Sequence, residues 1–302
     1  MGPMTTTFGR LTTAAAALAL ASAGLTGCAL FDGNSDIEDA LEYLPADATQ
    51  VTFYDRAAAA ERLGIDDIGA DPSEDDLERW TDKMMDEGYS SALATYTRAM
   101  VDNGAAFSDL DLEWEATATT DSGPNVYVWK LVDDVDFDDL ADDLEDAGYD
   151  RSKDGDFDVF EADIADAQEG GLFGGRYPVP MLKVALLPDE HLVLAGGVDA
   201  AVDVASDDED SLADVDTYDD LLDQAPDEDD LEYAALVDDP ACGQPTPNLS
   251  AEQQEYLEEK VGELGQPDGM AVFATTDEPV LAVRLHSDED EAKDDAQSRF
   301  IN

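Results

Sequence analysis

The sequence predicts an α+β fold built from two related units of mainly antiparallel sheet, with helices packed on one face. Three observations lead there: short alternating segments joined by turn residues, helices of acidic composition with apolar residues at helical spacing, and an order of elements that occurs twice.

The first unit, 37–216, opens with Ile37-Glu38-Asp39-Ala40-Leu41-Glu42-Tyr43-Leu44-Pro45, a short helix stopped by proline, followed by the strand in ADATQVTFYD. Helices are expected at 56–63 and 74–99. Leu77, Trp80, Met84, Met85, Tyr89, Leu93 and Tyr96 mark the second of these as packing on a core. Strands at 112–120 and 125–131 then turn at Asp121-Ser122-Gly123-Pro124, and a helix at 136–147 places Phe137, Leu140, Leu144 and Ala147 on one side. Strands at 157–162, 181–187 and 190–196 and a helix at 198–205 complete the unit. The second unit, 217–302, repeats the opening. Thr217 to Pro226 form a helix stopped by proline, and DEDDLEYAALVD supplies the strand. A helix at 250–264, strands at 270–276 and 279–285 turning at Asp277-Glu278, and an acidic helix at 287–298 follow. The second unit lacks counterparts of the last strands of the first, which predicts an incomplete repeat or a sequence that stops early.

Ahead of the folded region, Arg10 precedes the apolar run LTTAAAALALASAGLTG, which ends at Cys28. A positive start, an apolar middle and small residues at the end are the pattern of an export signal peptide, here 1–27. Leu25-Thr26-Gly27-Cys28 resembles the lipobox of bacterial lipoproteins: an aliphatic residue, two small residues and a cysteine. The resemblance implies a diacylglyceryl group on the Cys28 thiol, cleavage just before it, and a lipidated tether over 28–36. It places the protein on the outer face of the cell membrane, in contact with the bilayer through its N-terminal lipid. No second apolar run long enough to span a bilayer follows Cys28. The LPADAT opening and LVLAGGVDAAVDVA at 192–205 also resemble uncharacterised envelope lipoproteins of actinobacteria, a likeness that brings no activity with it.

Acidic residues number 75 against 15 basic ones, a formal charge of −60. No basic cluster is present, which argues against nucleic acid as a partner. With 43% hydrophobic and 8% aromatic residues the chain has the means to bury a core. Acids spread over nearly every predicted helix read as a solvated surface of the halotolerant kind, because at about 1 M salt the Debye length falls to ~3 Å and self-repulsion is screened.

Few residues suggest chemistry. Asp150, Ser152, Asp154, Asp156, Asp158 and Glu161, with Gly155, follow the spacing of an EF-hand calcium loop. Against it, Phe157-Asp158-Val159-Phe160 alternates like a strand where that loop needs a helix to begin. His191 and His286 are the only histidines, Cys242 lies in a turn-rich loop, and G-x-S-x-G is absent. The glycines at 170–175 lack the lysine and spacing of a phosphate loop. No catalytic or cofactor-binding residue is assigned. The resulting expectation is a lipid-anchored, non-enzymatic binding or structural module whose partner is an unidentified envelope protein or small ligand. The alternatives are a calcium-binding surface lipoprotein, with Ca2+ as its cofactor, and an envelope hydrolase using paired carboxylates.

Overall fold

Ser35 caps the first described helix: its hydroxyl accepts the Glu38 N–H while the Glu38 carboxylate accepts the Ser35 N–H at 3.0 Å. A computed structural model describes residues 35–69, 72–86, 91–120, 123–163, 176–226, 231–238, 240, 267–275, 280–287 and 292–293. Cys28 and the leader, Cys242, the glycines at 170–175, the expected helix 250–264 and most of 287–298 lie outside the described residues.

The described elements run α1 (Asp36–Leu41), β1 (Ala48–Asp55), α2 (Arg56–Leu63), α3 (Glu74–Asp86), α4 (Thr97–Asp102), β2 (Leu112–Thr120), β3 (Val126–Leu131) and α5 (Phe137–Asp146). Then follow β4 (Asp150–Asp154), β5 (Phe157–Glu161), β6 (Lys183–Leu187), β7 (Leu192–Gly196), α6 (Val198–Ala205), α7 (Asp216–Leu222), β8 (Leu231–Asp238), β9 (Gly269–Thr275) and β10 (Leu281–Leu285). The fold is α+β, as expected. All ten strands join one antiparallel sheet in the order β10-β9-β8-β1-β2-β3-β7-β6-β5-β4.

Two local expectations differ. The helix expected over 74–99 is described as two: α3 ends at Asp86 and α4 begins at Thr97. Between them Ser91 turns its hydroxyl onto the Ala94 N–H at 2.8 Å, a side-chain bond that competes with continued helix. β4, Asp-Arg-Ser-Lys-Asp, has no apolar residue and so no periodicity to betray it. It forms because Gly155, at φ +55°, closes a tight hairpin onto β5.

The sheet is covered on both faces, not on one. Along β7, Leu192 and Leu194 join one apolar cluster while Val193 and Ala195 join another, and β6 divides in the same way. The first cluster takes Ile37 and Leu41 of α1, Val198 and Val202 of α6, and Tyr218 and Leu221 of α7. The second takes Met100 of α4 and Phe137, Leu140 and Leu144 of α5. Strands buried on both faces read as continuous apolar runs, which is why VALL and LVLA carry no alternation.

Where β7 runs into α6 the backbone passes close to β3. A Cβ on Gly196, whose φ is +74°, would sit 2.2 Å from the Asn125 carbonyl oxygen. Gly196→Ala is therefore expected to destabilise the fold by at least ~1–3 kcal/mol in chemical denaturation. Gly69→Ala, with open space at the Cβ, is expected to stay within about 0.5 kcal/mol of wild type. Equal effects at the two positions would contradict the described approach.

Candidate functional site

The strongest polar constellation of the described molecule is buried beneath the segment that precedes α4. Arg56, the first residue of α2, follows Asp55, whose carboxylate caps the helix by accepting the Ala58 N–H at 2.7 Å. This geometry turns the Arg56 side chain inward, where it is 1% exposed. Its guanidinium donates to the Asp109 carboxylate at 2.7 Å and to the Asp109 carbonyl at 3.2 Å. It also stacks 4.4 Å from the centre of the Trp80 ring. The second Asp109 carboxylate oxygen accepts the Ser91 hydroxyl at 2.5 Å.

Beside this pair lies Glu115 of β2, 3% exposed. Its carboxyl accepts the Trp129 indole N–H at 2.7 Å and the Ala92 backbone N–H at 3.1 Å. Tyr54 of β1 stands directly opposite Glu115 in the strand register, and Tyr233 of β8 stands opposite Tyr54, their rings 4.7 Å apart. Burial, the largest influence, pushes the Glu115 carboxyl up from 4.5 to about 7. The Trp129 and Ala92 bonds and the Arg56 charge pull the other way without overcoming it. Burial likewise raises Asp55 to about 6 and the Tyr54 phenol to about 12.

These groups hold the structure together through the bonds just described. Breaking a buried ion pair such as Arg56–Asp109 leaves an uncompensated charge and costs about 3–5 kcal/mol. Two surface depressions lie elsewhere. One, of about 180 Å³, is lined by Glu38, Glu42 and Leu41 from the α1 end and Asp219 and Leu222 from α7. The other, of about 250 Å³, is lined by Glu42, Tyr43, Asp207, Glu209 and Asp214. Both are smaller than the ~300–1,000 Å³ of ligand pockets, and acids dominate their polar walls.

The residues singled out in the sequence are scattered. Asp150, Ser152, Asp154, Asp156, Asp158 and Glu161 do not form an EF-hand loop; they lie along the β4–β5 hairpin. Asp150 pairs with Glu161 across it, and Ser152 pairs with Val159. Asp158 pairs with Lys153, so it points to the face opposite Asp150, Ser152 and Glu161, where its carboxylate meets Arg151 at 2.8 Å and Lys153 at 3.2 Å. The tight turn at Gly155 leads into a strand, whereas an EF-hand loop coils round the ion and enters a helix. Among the described residues no group of three or more His, Cys, Asp or Glu side chains is placed to hold a metal. His191 sits in the β6–β7 turn at φ +55°, edge-on to Phe137 with ring centres 5.5 Å apart, and His286 follows β10. Of the apolar stripe, Leu77, Trp80, Met84 and Leu93 are buried, as a core reading requires.

Sequence reasoning missed Arg56, Asp109 and Glu115. A signal was present for Glu115: in LEWEATATT it falls on the side of the strand opposite Trp114, Ala116 and Ala118, among residues that alternation assigns to solvent. The cover supplied by residues 91–102, with Arg56 of α2 beside them, makes that side an interior.

No protein-family model matches the chain, and no curated protein matches it. Among solved structures it is similar to one described as "Structure of crystal form I of TP0453", at 10% identity over 78% of this chain and 72% of that one, with a TM-score of 0.34. A likeness of that size carries no activity across.

The raised carboxyl sets a pH dependence. Folded protein holds the Glu115 proton more tightly than unfolded protein, so this contribution to stability is complete below about 4.5 and is lost as the pH rises through about 7. The shift corresponds to roughly 3 kcal/mol between those limits. Asp55 acts in the same direction through about 6. Urea unfolding at pH 5 and pH 8 is expected to show Glu115→Gln losing most of its share of that difference while Asp55 keeps its own. An unchanged difference would refute the assignment.

Proposed function

We propose that this chain is a lipid-anchored protein on the outer face of a bacterial membrane, and that its acidic α+β body serves as a non-enzymatic binding or structural module. One observation carries the reading: Leu25-Thr26-Gly27-Cys28 stands at the end of an apolar run that starts after Arg10. Acyl chains contribute about 0.8 kcal/mol per buried methylene, and two chains anchor stably where one is marginal. Among the described residues no helix is long and apolar enough to cross a membrane. The described buried carboxylates of Asp109 and Glu115 are engaged in bonds that tie elements together, which favours a module over a carboxylate hydrolase.

The module is, in this reading, an internal duplication whose halves meet at β1 and β8. Ile37, Ala40, Leu41 and Leu44 have the same spacing as Tyr218, Leu221, Leu222 and Ala225, and both sets belong to or pack against the first cluster. Val51 and Phe53 pair with Ala118 and Ala116, which pair in turn with Val126 and Val128. Ala234 and Leu236 pair with Phe273 and Ala271, which pair with Leu281 and Val283. Between the halves Val51 faces Leu236, Phe53 faces Ala234 and Thr52 faces Ala235. A local two-fold axis between Thr52 and Ala235 fits this register: Val51 meets Leu236, the counterpart of Phe53, and Phe53 meets Ala234, the counterpart of Val51.

Two experiments test these statements. Cys28→Ala is expected to abolish metabolic labelling by a palmitate analogue and to move the protein from the detergent phase to the aqueous phase in phase partitioning. Unchanged partitioning would place the anchor elsewhere. Phe53→Ala and Leu236→Ala occupy corresponding buried positions and are each expected to cost ~2–5 kcal/mol in thermal unfolding. A neutral Leu236→Ala beside a damaging Phe53→Ala would argue against equivalent halves.

A further inference from the structure

The segment from Ser91 to Asp102, which ends in α4, covers part of the second apolar cluster through Leu93 and Met100, packed with Phe107, Trp129 and Leu131. Two carboxylates tie its start to the rest of the fold: Asp109 through the Ser91 hydroxyl, and Glu115 through the Ala92 N–H. The two ties differ in kind. Asp109 is ionically matched by Arg56 at 2.7 Å, so its charge is balanced within the interior. Among the described residues Glu115 has no such match. Its immediate surroundings are the Trp129 indole from β3, the Ala92 backbone from the segment, and Tyr54 from the facing position on β1. The nearby charges that act on it are Asp109, which disfavours its ionisation, and Arg56, which is already paired. With Glu115 protonated, the buried group of Arg56, Asp109 and Glu115 is neutral; ionising Glu115 leaves one uncompensated negative charge under the segment.

The geometry points to Glu115 as a proton-operated latch on residues 91–102: closed while its carboxyl holds a proton, loosened when the proton leaves for solvent and the carboxylate draws in water. Opening lifts Leu93 and Met100 from Phe107 and Trp129 and exposes that part of the second cluster, while β3, β6 and β7 keep their pairing. The midpoint of the latch is the about 7 at which the buried carboxyl titrates, so the device works within the ordinary external range. This inference is independent of the lipid anchor.

The chain has three tryptophans, so the full-length protein labelled with 15N-tryptophan shows three indole signals, assigned by Trp80→Phe and Trp114→Phe. The Trp129 indole N–H, donor to Glu115, is expected to shift with a midpoint near 7. Hydrogen exchange followed by mass spectrometry on the same full chain is expected to show amides 92–102 opening more readily as the pH rises from about 4.5 toward that midpoint, and levelling off above it. Once the intrinsic pH effect is removed, the gain within that window should approach tenfold per pH unit, as release of one proton per opening requires. Amides of β6 and β7 should not follow, and Glu115→Gln should remove the gain. The latch is overturned by a Trp129 signal flat from pH 5 to 9. It is equally overturned by β6 and β7 amides accelerating in step with 92–102, or by Glu115→Gln retaining the wild-type pH response. The first readout needs no change at Glu115, so it stands even if that variant fails to fold.

Discussion

The pairing of β1 with β8 is the constraint on which the rest of the architecture depends. Gln50 to Tyr54 run against Val237 to Tyr233, segments far apart in sequence, and this ladder makes two sets of strands a single sheet. Without it β8, β9 and β10 would be a three-stranded antiparallel sheet with, among the described residues, one short covering helix, close to the smallest sheet that is stable alone. With it Phe53, Ala234, Leu236 and Phe273 enter the same cluster as α1, α6 and α7, and burial of that apolar surface is shared across the junction. Closing so long a loop is slow but thermodynamically mild, since the entropy cost rises only with the logarithm of loop length.

A charge of −60 acts against this compaction. The fold meets it by keeping most acids at the surface and by using some of them where backbone donors need acceptors. Asp55 and Asp136 cap α2 and α5, and Asp111 accepts the Ser108 N–H at 2.8 Å. The scarce cations are deployed against specific carboxylates. Arg62 forms a two-point contact with Glu232 that ties α2 to β8, Arg176 meets Asp143, and Lys183 meets Asp199. Arg56 alone among these is wholly buried, and the segment at 91–102 closes over it and its neighbours. The same cover places the Glu115 carboxyl, on the fifth of the ten strands in sheet order, in an interior of low polarity, which is why burial raises it.

Covering both faces of the sheet has a second consequence. The central strands β3, β7 and β6 carry apolar side chains in both directions, and the clusters on the two sides are linked through them. The ends of the sheet are treated differently. β4 is exposed at every position and charged at four of five, with Arg151 and Lys153 both drawn to Asp158, a composition that discourages pairing with another chain. Its acids therefore read as protection of an edge, which accounts for their alternation and for the resemblance to a calcium loop in sequence alone.

Local patterns in the sequence were enough to place the α+β class, the short helix ahead of β1, the hairpin of β2 and β3, the amphipathic α5 and the β6–β7 pair. Each rests on a period or a turn within a few residues: Phe137, Leu140 and Leu144 lie on one side of a helix whatever that helix packs against. The proposed signal peptide and lipid site at Cys28 rest on the same kind of local pattern, a contiguous stretch of chain. Tertiary structure decided what no local period contains: that β8 lies beside β1, that helices cover both faces, and that Asp150 to Glu161 fold back as strands. It also decided that Arg56, Asp109 and Glu115, separated along the chain, share one interior. A carboxylate looks the same in sequence whether it faces water or a tryptophan. Its protonation is set by the neighbours that folding brings to it, and those come from distant parts of the chain.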